Sequence, residues 1–160
     1  KISTLLYLPE NATSDNPAPC AVIYHGRSNQ GHSNDTWSME LARRGYAVVT
    51  WDYTGCARSD IATGPSETAP DPVSGNATMG AETVWNTIKS FDFVDFSKIV
   101  ASGHSMGGVY TMGFSIRHQE EVFLQVNLGM NNYGSAENHE HNFNFVNILG
   151  VAHQEAGNLG

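Results

Sequence analysis

Gly103-His104-Ser105-Met106-Gly107 has the spacing G-x-S-x-G. A serine in that setting can serve as a nucleophile if the backbone presents its Oγ and a neighbouring base takes its proton. The flanks supply the presentation. The apolar run KIVAS at 98–102 reads as a strand leading into the motif, and MGGVYTMGF at 106–114 reads as the start of a helix leading out. So tight a turn forces Ser105 into a strained backbone region and lifts its hydroxyl above the sheet edge. Glycines on both sides let neighbouring backbone approach without a Cβ clash. The helix points its positive end at the site, which favours developing negative charge. Stripped of that chemistry, the same pattern is a glycine-rich strand-to-helix turn.

A serine nucleophile that attacks a carbonyl generates an oxyanion, which needs two N–H donors aimed at it. The residue after the nucleophile, Met106, offers one. His25-Gly26-Arg27 lies just past an apolar run, and the Arg27 N–H is the candidate for the other. Taken alone, this second signal is an ordinary strand-end turn; upstream of an elbow it gains weight.

These residues need a scaffold, and the patterning predicts one. Residues 2–8 form a short apolar strand stopped by Pro9, and 21–24 (AVIY) read as a strand buried on both faces. Asp35 can cap a helix to about Arg44, with Trp37 and Leu41 on one face and Gly45 as the stop. Residues 46–51 (YAVVTW) form the next buried strand, followed by a loop over 52–59. The stretch 60–76 is rich in Pro, Gly, Ser and Thr and predicts a long loop of the mobile or functional kind. Ala77, Ala81, Val84, Trp85, Ile88 and Phe91 recur at helical spacing. Beyond the elbow come a helix over 105–118 and strands over 122–128 and 143–149. Such alternation specifies an α/β fold, a mostly parallel central sheet with helices on both faces, in a single domain over 1–160. Ligands of such sheets bind beyond the carboxyl ends of the strands, where the 25–27, 52–59 and 103–107 segments all fall.

Bulk properties narrow the partners. The formal charge is −8, from 16 acidic and 8 basic residues, which disfavours nucleic acid. No apolar run approaches the roughly 20 residues of a membrane span. Cys20 opens one predicted strand and Cys56 lies beyond the far end of its neighbour, too far apart for a disulfide. Two unpaired thiols favour a reducing compartment such as the cytoplasm.

With these residues in view, the chain resembles the α/β-hydrolase superfamily, specifically its small serine esterase and dienelactone-hydrolase-like branches. His25-Gly26 is similar to the family's oxyanion strand end. Leu41-Ala42-Arg43-Arg44-Gly45-Tyr46-Ala47-Val48-Val49 resembles its first helix and the strand that follows. Asp52-Tyr53-Thr54-Gly55 through Arg58-Ser59 resembles a D-x-x-G-x-G-x-S turn, with Cys56 and Ala57 where His and Gly are common. The resemblance implies a Ser, acid, His triad in that chain order, an acyl-enzyme formed on Ser105, an ester or related acyl substrate, and no metal or organic cofactor.

In capless relatives the acid comes roughly 50 residues after the nucleophile and the His about 30 further on. The family pattern after the corresponding strand is Gly, two residues, then Asp. Here Gly150 is followed by Val151 and Ala152, and the acid slot holds His153. Glu155 is the nearest substitute for the acid. The chain reaches Gly160 before the expected base, which leaves two explanations: a partial α/β-hydrolase domain, or a degenerate relative that keeps the elbow without a triad. A domain without its last strands is expected to self-associate through an uncovered sheet edge.

Other histidines have plainer readings. His104 is expected to pack away from Ser105, His25 to act as a structural hydrogen-bonder, and His118 to favour a helix C-terminus. His139 and His141 with Glu140 are expected to lie in a solvated loop rather than to bind a metal. Tyr53 and Tyr133 are loop aromatics that either line a pocket or do nothing specific. Two other functions fit the same scaffold: a non-catalytic ligand-binding or sensor relative, and an acyltransferase.

Overall fold

The computed structural model describes residues 1–27, 30–60, 79–129 and 144–148. Its strands are β1 (Thr4–Tyr7), β2 (Ala18–Tyr24), β3 (Ala47–Trp51), β4 (Val94–His104), β5 (Val122–Leu128) and β6 (Asn144–Ile148). Its helices are α1 (Asp35–Arg43), α2 (Ala81–Ile88) and α3 (Met106–Arg117), with a short 3-10 turn over Gly31–Asn34 leading into α1. The order across the sheet is β1-β3-β2-β4-β5-β6. Only β1 runs antiparallel, against β3; every other pairing is parallel. The expected α/β architecture is therefore the one observed.

Alternation along the strands sorts the core into two faces. Ala21, Ile23 and Val48 face α1, where Trp37, Leu41 and Ala42 cover them. Val22, Tyr24, Val49, Trp51, Ile99 and Ala101 face α2 and α3, packing with Val84, Trp85, Ile88, Tyr110 and Phe114. Aromatic edges interlock there: Trp85 meets Phe114 edge-on at 5.3 Å and Tyr24 meets Trp51 at 4.6 Å. Burying a side chain such as Phe114 stabilises the fold by about 2–3 kcal/mol, so this face is the main anchor for α3.

The stop of α1 follows its sequence signal. Gly45 adopts φ 97, and the N–H groups of Gly45 and Tyr46 close onto the carbonyls of Ala42 and Leu41. This is a Schellman ending, open to glycine because it carries no Cβ. The start differs from expectation. Asn34 is the capping position and Asp35 the first helical residue, so the Asp35 carboxylate acts in the first turn, where it opposes the helix dipole. It also accepts a hydrogen bond from Tyr7 Oη.

A second, half-buried brace joins α2, α3 and the start of β5. His118 Nε2 lies 3.0 Å from Glu82 and its Nδ1 3.2 Å from Glu121, while Arg117 Nε bonds Glu82 at 2.8 Å. Burial alone would raise the Glu82 and Glu121 carboxyls, but the donors around them hold both below the usual range. Cys20 and Cys56 are free thiols, and burial pushes Cys20 up to about 12.

β6 closes the described sheet on one side, and its Val146 and Ile148 are exposed. No helix among the described residues is long and apolar enough to cross a membrane.

Candidate active site

Four features build the site from the sheet upward. The first is the turn at Ser105. β4 ends at His104 and α3 begins at Met106, leaving Ser105 alone between them at φ 54, ψ −123. A side chain in that region is strained and persists only where its surroundings over-determine it. Those surroundings are specific. The Ser105 N–H is tied to the Leu128 carbonyl at 2.9 Å and its carbonyl accepts from Gly108 N–H at 2.9 Å. A Cβ on Gly103 would lie 2.4 Å from the Gly107 carbonyl, and one on Gly107 would lie 2.5 Å from the carbonyl oxygens of Tyr24 and His25. Both glycines of the motif are thus required by close approach.

The second feature is the end of β2. Tyr24 pairs with Gly103, so the 25–27 turn leaves the sheet at the level where β4 turns into α3. Arg27 is exposed there, and its charge acts on Tyr110 in α3, although burial dominates and raises the Tyr110 phenol. Met106, as the first residue of α3, has an N–H with no acceptor inside the helix. The two candidate donors, Arg27 and Met106, therefore come from segments that touch at Gly107.

The third is the loop after β3, which is built around a fully buried carboxylate. Asp52 Oδ1 accepts from Gly31 N–H at 2.8 Å, and Oδ2 accepts from Arg58 Nε at 2.8 Å and Arg58 N–H at 3.2 Å. Ser59 Oγ donates to the Asp52 carbonyl at 2.6 Å and accepts from Ser3 N–H at 2.9 Å. Burial would raise the Asp52 carboxyl, but Arg58 and the Gly31 N–H outweigh it and hold the pKa low. The D-x-x-G-x-G-x-S resemblance thus describes a self-closing loop, not a catalytic acid. Gly55 sits at φ 77, and Ala57, in the second glycine's place, is held at φ 44.

The fourth is the placement of histidines. His25 is buried, with Nδ1 2.8 Å from the Gly26 carbonyl and Nε2 3.3 Å from Tyr53 N–H. A backbone N–H only donates, so Nε2 accepts and the proton sits on Nδ1. Burial lowers the His25 pKa, consistent with a neutral ring. His118 caps α3, as its sequence position suggested. His104 does not pack: it is exposed. Among the described residues no imidazole is bonded to Ser105 Oγ, and no cluster of three His, Cys, Asp or Glu could hold a metal ion. Tyr53 is a core residue rather than a pocket-lining one, because its ring stacks on His25 at 3.5 Å with no surface exposed. Sequence reasoning missed this pair. Glu155, His153, His139, His141, Tyr133 and the 61–76 part of the long loop lie outside the described residues.

The Hydrolase_4 family model, described as serine aminopeptidase, S33, matches residues 15–135. The chain belongs to this α/β-hydrolase family. The matched segment contains the 25–27 turn, the Asp52 loop and the elbow. No curated protein matches the chain. Among solved structures, this family member is similar to Est1E from Butyrivibrio proteoclasticus with bound ferulic acid, at 21% identity and TM-score 0.66, covering 81% of this chain and 49% of that one. It is also similar to the esterase EaEST from Exiguobacterium antarcticum, at 18% identity and TM-score 0.60, covering 81% and 41%. The enol-lactonase from Burkholderia xenovorans LB400 is similar at 16% identity and TM-score 0.61, covering 81% and 43%. These likenesses are of fold. The chain spans half or less of the length of these three proteins.

Proposed function

We propose that this chain provides the nucleophile half of a serine hydrolase that cleaves an ester or related acyl substrate through an acyl-enzyme. Ser105 Oγ attacks the carbonyl carbon, and its proton passes to a base. The N–H groups of Met106 and Arg27 receive the oxyanion. Collapse of the tetrahedral intermediate expels the leaving group, which takes up that proton. Water then releases the acid and restores Ser105. Glu155 is the proposed acid of the triad. The observation that carries this reading is the backbone of Ser105, strained at φ 54 between a strand and a helix, with no room for a Cβ at either flanking glycine. Strain of that kind costs of order 1–3 kcal/mol and is retained where it presents a reacting group.

The esterase-like folds among the neighbours support a small acyl substrate, and the mechanism calls on no metal or organic cofactor. A sensor relative without chemistry is the second reading. It is favoured by His153, which occupies the position where the family pattern has its acid. An acyltransferase would share every step except that an alcohol replaces water in deacylation.

A fluorophosphonate probe tests the proposal, because it reacts covalently only with an activated serine. Labelling that is present in the folded protein and lost in Ser105→Ala, with the circular dichroism spectrum unchanged, is the expected result. A complete, folded protein that does not label overturns the enzyme reading and favours the sensor.

A further inference from the structure

The carbonyl oxygen of His25 is a junction of three segments. The Tyr53 hydroxyl donates to it at 2.5 Å. The first turn of α3 presses on it, since a Cβ on Gly107 would lie 2.5 Å away. The His25 ring is itself held over the Tyr53 ring, with centroids 3.5 Å apart and planes 22° apart.

The next peptide along is pinned as well. His25 Nδ1–H donates to the Gly26 carbonyl at 2.8 Å, and Tyr53 N–H donating to Nε2 fixes the tautomer that makes this bond. The Gly26 carbonyl and the Arg27 N–H share one peptide plane, and no peptide bond among the described residues is cis. Fixing that carbonyl therefore fixes the direction of the Arg27 N–H on the opposite side of the plane. Gly26 would otherwise leave this direction loose, because glycine accepts both signs of φ.

We propose that Tyr53 is a positioning residue: acting through His25, it aims the Arg27 N–H and sets the spacing between the two oxyanion donors. This rests on the serine-hydrolase reading above. The ring of Tyr53 fills the core against Trp51, Tyr24 and Tyr110, a task Phe would do equally well. The hydroxyl is what the junction adds. It is buried, and such a hydroxyl is costly unless bonded. Burial also pushes its pKa well above the usual range, so it remains a donor at any working pH. The Tyr24 hydroxyl in the same cluster has no hydrogen-bond partner among the described residues and so provides an internal comparison.

The test is the kinetics of Tyr53→Phe and Tyr24→Phe beside the wild type, read as the rate of fluorophosphonate labelling and as kcat and KM on a p-nitrophenyl ester. Losing an oxyanion donor outright costs about 100- to 1,000-fold in kcat, and a misaimed donor costs less. Tyr53→Phe is expected to lower kcat and the labelling rate about ten- to a hundredfold per folded molecule, with KM changed less than about twofold. Tyr24→Phe is expected to match the wild type. Wild-type rates in folded Tyr53→Phe overturn the inference, as does an equal loss in Tyr24→Phe. If Tyr53→Phe does not fold, His25→Gln replaces it. Its amide does not reproduce the imidazole bond to Gly26, so a kcat loss with unchanged KM is expected, and a wild-type rate overturns the inference. A complete, folded wild type that does not label at all is a failure of the serine-hydrolase reading instead.

Discussion

Gly107 and Tyr24 approach so closely that a methyl group on Gly107 would sit 2.5 Å from the Tyr24 carbonyl oxygen and 2.9 Å from its carbon. The contact joins the first turn of α3 to the end of β2, which are the two segments that carry the candidate oxyanion donors. Backbone cannot swing aside as a side-chain tip can. Gly107→Ala is therefore expected to destabilise the fold by about 1–3 kcal/mol and to abolish labelling of Ser105 in the molecules that still fold. Gly103→Ala should behave alike, since its Cβ would meet the Gly107 backbone at 2.4 Å and Thr111 Oγ1 at 2.5 Å. Urea unfolding and probe labelling measure the two effects. Wild-type stability in both variants would contradict the packing described.

The elbow was legible in the sequence because everything that makes it is local: an apolar strand, two glycines and a helix within a few turns. β5 was legible from its mostly apolar residues Val122, Phe123, Leu124, Val126 and Leu128, although the structure exposes Phe123 and buries Gln125 and Asn127. The start of β4 was hidden. It begins at Val94, paired with Ala18 ahead of a register shift, and the polar Asp95 and Ser97 interrupt its apolar pattern before Lys98. The role of Tyr53 was not readable either. Its partner His25 lies 28 positions away, and a tyrosine past the end of a strand carries no local mark of burial. The Asp52 loop fell between these cases. Its residue pattern was recognisable, while its task as an acceptor for Gly31 and Arg58 depended on a neighbouring loop.

Ala57 offers a stability gain. It holds φ 44, a left-handed conformation that costs an L-residue roughly 1–2 kcal/mol, and it stands where the family turn has glycine. Ala57→Gly removes that strain, partly offset by the greater freedom of glycine in the unfolded chain. A net stabilisation of about 0.5–1 kcal/mol is expected, seen as a higher urea midpoint with unchanged slope. A lower midpoint would mean that the Ala57 methyl group makes contacts worth more than the strain.

Asp52 should govern part of the acid sensitivity of the fold. Burial pushes its carboxyl up, but the Arg58 side chain and the Gly31 and Arg58 N–H groups push harder, so the folded pKa lies below the ordinary value. A carboxyl shifted in that direction contributes stability that is fully present above the unfolded pKa, near 3.9, and is lost as pH falls through the folded value. Asp52→Asn keeps the shape and removes the charge. At pH 7 it is expected to cost about 1.5–3 kcal/mol, the range for hydrogen bonds to a charged group, because the buried carboxylate serves Gly31 and Arg58 together. As pH falls below about 4 the gap between variant and wild type should begin to narrow, closing only below the folded pKa, where both carry a neutral group at that position. Glu82 and Glu121, also held low by their donors, are unchanged in the variant, so some acid sensitivity should persist in it. Urea unfolding of both proteins between pH 3 and pH 7 measures the gap directly. A gap near zero at pH 7 would show that Asp52 contributes through shape alone and that its charge does not hold the loop.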